Sequence, residues 1–166
     1  YHKTVGRGAQ LVLGLAPDNR GLMPDNDVAR LEEFGRAIGE IYGKNLCRSA
    51  VPQPGLENAL DGDPATFWSA PADARAATIR VAFPQPVTFD RAVTMEWLLE
   101  GQHIQNYSID AFDGRAWKTL YTSTTIGHKK IDIFPRATAR QVRLRILNAS
   151  ARPRIREFQL YDGRGR

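Results

Sequence analysis

Ala59-Leu60-Asp61-Gly62-Asp63-Pro64-Ala65-Thr66-Phe67-Trp68 is an oxygen-rich turn running into an aromatic pair, and Arg156-Glu157-Phe158 brings another carboxylate near the far end of the chain. Gly and Pro break both helix and regular strand, so this stretch is a loop. Two readings of it stand. Asp, Gly and Pro all favour turns, which makes it an ordinary surface turn. Alternatively, its carboxylates, hydroxyl and carbonyls converge on a hard cation. Calcium takes about six to eight oxygens, and a glycine in the loop relieves the crowding.

Downstream of the turn the chain alternates apolar and polar residues in short runs separated by turn residues. Residues 78–83 place Ile79, Val81 and Phe83 on one side, and 92–98 do the same with Val93, Met95 and Trp97. Further runs follow at 104–112, 117–122, 129–134, 141–147 and 155–161, with Asp113-Gly114 as a tight-turn signal between two of them. Short strands at this spacing predict a β-sandwich or jelly roll. On this pattern Trp68 and Trp117 are expected in the core.

Upstream the pattern differs. Residues 9–15 (AQLVLGL) are an almost unbroken apolar run, as in a strand buried on both faces of a parallel sheet. Pro24-Asp25-Asn26-Asp27 opens a helix with acids at its positive end, Val28, Leu31, Phe34, Ile38, Ile41 and Tyr42 share a face, and Gly43 stops it. A strand, a loop and an amphipathic helix form one βα unit, which cannot close a core alone. The Pro- and Gly-containing stretch 44–58 places a boundary between Gly43 and Lys44, giving units 1–43 and 44–166.

The net charge of +5 resides in the second unit, which has 18 basic and 12 acidic residues against 5 and 6 before Lys44. Arg143 and Arg145 fall at alternating strand positions, and Arg152, Arg154, Arg164 and Arg166 in a polar tail, so solvated faces are expected rather than a nucleic-acid surface. No apolar run reaches the length of a membrane span, so neither nucleic acid nor membrane is an expected partner. The single Cys47 excludes an intramolecular disulfide and leaves the redox compartment open. The start at Tyr1, without Met or a signal-like segment, reads as a piece of a longer chain.

The Asp61 turn, the terminal run Arg156-Glu157-Phe158-Gln159-Leu160-Tyr161-Asp162, and Tyr107-Ser108-Ile109 with Asp113-Gly114-Arg115-Ala116-Trp117 between them resemble the discoidin or coagulation-factor type C family. That resemblance covers residues 46–162 and implies the galactose-binding-like jelly-roll sandwich. Relatives that bind calcium imply a ligand set of the Asn58 carbonyl, Asp61, Asp63, Thr66, Glu157 and the Arg156 carbonyl. Residues 1–22, with Leu31-Glu32-Glu33-Phe34-Gly35, separately resemble the end of the catalytic TIM-type barrel of α-L-fucosidases. Gly101-Gln102-His103-Ile104 and 124–130 resemble the sandwich appended to the branch acting on α-1,3/1,4-linked fucose. Gly14 stands where that family commonly has Asn, so no contact of that amide carries over.

Together the resemblances imply an accessory, carbohydrate-binding-like module of a retaining glycoside hydrolase. The implied partners are an upstream catalytic barrel and fucosylated or galactose-containing glycans, in a periplasmic or extracellular setting. An autonomous carbohydrate-binding or adhesion module is the alternative, and the βα unit argues against it. Retention requires two carboxyl groups about 5 Å apart, and the family's nucleophile lies upstream of Tyr1, so no catalytic residue is assigned within the chain. Asp18, Asn19 and Arg20 either border a sugar pocket or form an ordinary loop. Trp97, Glu100, Gln102 and His103 form a polar and aromatic loop suited to carbohydrate or to docking on the barrel, and the flanking Leu98 and Leu99 favour docking. His128 has no ligand-spaced partner and is expected on the surface.

Overall fold

The structure is a computed structural model that describes residues 1–51 and 53–163; the tail arginines Arg164 and Arg166 lie outside the described residues. Helix α1 spans Asp25–Tyr42, with Asp25 and Asp27 in its first turn and Gly43 at its end, as its sequence predicts. Six strands follow: β1 Trp68–Ser69, β2 Ala77–Glu96, β3 Ile104–Phe112, β4 Trp117–Ser123, β5 Lys130–Ala149 and β6 Arg154–Tyr161. They form one antiparallel sheet in the order β1-β6-β2-β5-β3-β4.

β2 and β5 each join two of the runs that the alternation predicts as separate strands. Their shared register slips between Ala82 and Val87 and again between Phe89 and Arg91. Pro84, Pro86 and Pro135 lie in these connecting stretches and offer no N–H to a ladder, so the chain stays extended while its pairing shifts. The long strands thereby pass from one layer to the other, and the sheet closes as a galactose-binding-like jelly-roll sandwich. The core between the layers holds Ile79, Val81, Phe89, Leu144, Ile155 and Phe158, all fully buried.

Alternation identifies the inner face of residues 77–83 correctly but not that of 92–96. Ala92 belongs to the core, and Thr94 and Glu96 are buried on the same side. Val93 and Met95 face outward into a second cluster with Ile131, Tyr161, Tyr1 and Tyr42. The N-terminal segment covers this outer face, which is why both sides of the strand are apolar. Tyr42 sits edge-on to Tyr161 with ring centroids 5.1 Å apart, shares a 2.6 Å hydrogen bond with His2, and lies 5.9 Å from the Arg91 guanidinium.

The βα remnant of a barrel is not reproduced. Residues 9–18 contain no strand, and Val12 and Leu13 are 80% and 53% exposed. A strand takes its backbone hydrogen bonds from neighbouring strands, and among the described residues none pairs with this run. The apolar face of α1 likewise has no buried residue. Trp68 packs against the core as expected. Trp117 does not: it pairs with Phe112, whose neighbour Ala111 points inward, and so stands on the outer face. Arg143 and Arg145 are not simply solvated, since both pair with the fully buried Asp110.

Candidate functional site

The Asp61 turn closes onto the last strand. Gly62 N–H donates to Glu157 Oε1 at 2.6 Å, and β1 pairs with β6 through Trp68 and Ile155. Gly62 adopts φ +71°, a conformation that favours glycine, and the Arg48 guanidinium lies where a Cβ would stand. Asp61 Oδ1 and Asp63 Oδ1 accept from the N–H groups of Asp63 and Ala65, each at 2.8 Å, which fixes the turn from within.

These bonds gather oxygens around Thr66. Its Oγ1 lies 2.7 Å from Asp61 Oδ2, 3.2 Å from the Asp63 carbonyl and 3.4 Å from the Asn58 carbonyl. Glu157 is 2% exposed. Burial first, then the neighbouring Asp61 carboxylate, pushes its carboxyl up to about 7, against hydrogen bonds from Gln159 and Gly62. Asp61 is held below its ordinary value. Burial opposes its ionisation, but hydrogen bonds from Asp63 N–H, Thr66 and Glu157, with the Arg48 charge, outweigh that.

Among the described residues no three His, Cys, Asp or Glu side chains converge. A cation here would therefore rest on two carboxylates, with carbonyl and hydroxyl oxygens completing its shell. That donor set is hard and all-oxygen, and it fits calcium better than zinc or copper. The Asp63 carbonyl faces Thr66 Oγ1, while its Oδ1 accepts from Ala65 N–H. The side chain of Arg156 lies elsewhere, with its guanidinium 5.1 Å from the Trp97 ring.

The second predicted group lies beside the first. Trp97 stacks on Phe67 of the Asp61 turn at 4.3 Å and 21°, so the two loops share one end of the sandwich. Glu100 pairs with Arg154 at 2.5 Å, and His103 Nε2 lies 2.9 Å from the Glu100 carbonyl. Gln102 is exposed and lies close to Gly127. Asp18 accepts from the N–H groups of Arg20 and Leu22 and pairs with Arg20, so that loop is organised by its own residues.

Sequence reading missed Glu96. It is 1% exposed, and its carboxylate accepts from His103 N (2.7 Å), Ile104 N (3.0 Å) and Gly127 N (3.3 Å), tying the 97–103 and 124–129 loops together. The available signal was a charged residue in phase with Ala92 rather than with Val93.

The chain matches the F5/8 type C domain family over residues 48–158. Alpha-L-fucosidase 1 of Arabidopsis thaliana is 25% identical over 97% of this chain and 35% of its own length. A Ruminococcus gnavus GH29 fucosidase in complex with fucose superposes with a TM-score of 0.87 at 26% identity, over 98% of this chain and 35% of that one. The chitosan-binding module 1 of a Paenibacillus chitosanase/glucanase shares the fold, with a TM-score of 0.57 at 24% identity, over 68% of this chain and 90% of its own. The chain spans about a third of the length of the curated relatives it matches.

Proposed function

Because the chain belongs to the F5/8 type C domain family, we propose that it is the C-terminal accessory module of an α-L-fucosidase that acts on fucosylated glycans. In this reading, residues 1–43 complete and contact a catalytic barrel supplied by another part of the protein, and residues 44–166 form the sandwich docked beside it. One observation carries the reading: the fucosidase likeness includes the first 43 residues, whereas the chitosan-binding module's does not extend beyond 68% of the chain. A free-standing sugar-binding sandwich has no use for that segment. Its exposed Val12, Leu13, Leu15, Leu22 and Met23 call for a covering surface, and an adjoining barrel provides one.

The loop end of the sandwich would then do two things. Trp97 is already engaged by Phe67 and Arg156, and the Glu100–Arg154 pair and Glu96 brace the loop around it, which suits a preformed docking edge for the barrel or for the glycan it holds. Calcium at Asp61, Thr66, Glu157 and the carbonyls of Asn58 and Asp63 would lock the first loop to the last strand. Turnover of an aryl α-L-fucoside tests the assignment. The chain alone should show none, and the protein encoded with its upstream sequence should hydrolyse the substrate with retention. Turnover by the chain alone, or none by the longer protein, overturns the reading.

A further inference from the structure

The outer face of β2, β5, β3 and β4 carries an arrangement that neither the cation loop nor the docking edge uses. Cross-strand pairing sets Arg80, Arg143, Asp110 and Thr119 in one row across four strands. Arg145 and Ser108 occupy the adjacent row, and Phe112 and Trp117 the row on the other side. Three arginines thus share the face with one carboxylate, which two of them contact. Asp110 is fully buried although it lies on an outer face, and its Oδ2 accepts from Arg143 Nε at 2.8 Å and forms an ion pair with Arg145 Nε at 2.7 Å, whose N–H donates to Ser108 Oγ. Both contacts use Nε, which leaves the terminal amino groups of each fork for another acceptor.

Arg80 is exposed and has no carboxylate partner among the described residues; its guanidinium lies over the Trp117 ring, 5.2 Å from the centroid. Directly paired like charges such as Arg80 and Arg143 destabilise a sheet unless something compensates them. Trp117 belongs to the edge strand, yet its ring centroid lies 4.2 Å from Arg143 Cζ, two strands away. The indole therefore lies along the sheet instead of projecting from it, and it is only half-buried. A flat aromatic surface beside forked donors and the exposed Thr119 matches a sugar ring that bears an anion. Single-stranded nucleic acid would ask for successive stacking rings along a groove. The N-terminal segment covers the outer face of the other layer, so a barrel attached through it leaves this face open.

We propose that this face binds an acidic saccharide, a sugar carrying a carboxylate or sulfate, with the ring on Trp117 and the anion on Arg80 and Arg145. The site is independent of the fucosidase assignment and of calcium. Isothermal titration of the whole chain at about 0.15 M salt with trigalacturonate, a heparin-derived tetrasaccharide, neutral cellotriose and a short single-stranded DNA tests it. At least one acidic oligosaccharide should bind, and cellotriose and DNA should bind more weakly. Arg80→Gln should weaken binding at least about fivefold, Arg80→Lys less than that, and Trp117→Ala about tenfold or more. Arg80 is exposed, so its variants decide the matter even if Trp117→Ala unfolds. Failure of both acidic oligosaccharides to bind, binding unchanged in Arg80→Gln, equal binding of cellotriose, or tighter binding of DNA would each overturn the proposal.

Discussion

Glu157→Gln should change stability with opposite sign depending on whether calcium is present. In the folded chain the Glu157 carboxyl is pushed from its ordinary 4.5 up to about 7, chiefly by burial and then by Asp61. At about 1.4 kcal/mol per pH unit, that rise is worth about 3 kcal/mol. A carboxyl whose folded pKa exceeds its unfolded value stabilises the fold while protonated. The contribution is whole below pH 4.5 and is lost as pH climbs through 7. Glutamine mimics the protonated acid at every pH. It keeps the acceptor for Gly62 N–H but gives up the hydrogen bond from Gln159, a loss of about 1 kcal/mol. In chelator at pH 8, urea unfolding should therefore show the variant more stable than wild type by about 2 kcal/mol, or about 4–8 °C in Tm. At pH 5 the advantage should vanish or reverse by about 1 kcal/mol. Calcium at a hundred times its Kd should raise the wild type by about 2.7 kcal/mol and the variant by much less. A variant that is less stable than wild type in chelator at pH 8 would refute the buried-acid argument. Equal stabilisation of both proteins by calcium, or of neither, would refute the calcium site.

Glu96→Gln should cost about 2 kcal/mol, because one buried carboxylate serves three backbone N–H groups; amide exchange at His103, Ile104 and Gly127 should accelerate locally. Tyr42→Ala removes the contacts with Tyr161, Arg91 and His2 that hold α1 to the sandwich. Limited proteolysis should then cut within the first 43 residues while the remaining sandwich melts within about 0.5 kcal/mol of its starting stability, and an N-terminal segment no more cleavable than in wild type would count against that anchoring. The Cys47 thiol is buried and pushed far above its ordinary pKa, mainly by desolvation. It should stay unreactive toward a disulfide reagent until the chain is unfolded, and rapid native labelling would contradict its burial.

Features that depend on a few neighbouring residues were legible in the sequence alone. The Pro24-Asp25 start and Gly43 end of α1, the Asp113-Gly114 hairpin turn, and the inward set Ile79, Val81 and Phe83 all follow from backbone preference and period-two alternation. So does the loop at Asp61 to Thr66, whose internal bonds span five residues or fewer. Alternation states which residues share a face but not which face is inside. The outward placement of Val93, Met95 and Trp117 and the burial of Glu96 were therefore decided by what packs on each side. An apolar run becomes a strand only if other strands pair with it, and residues 9–15 lack them here. The meeting of Gly62 with Glu157, 95 residues apart, and the row from Arg80 to Asp110 were likewise set by strand order and register. Sequence spacing encodes local geometry, whereas contacts between distant residues exist only once the sheet has closed around its core.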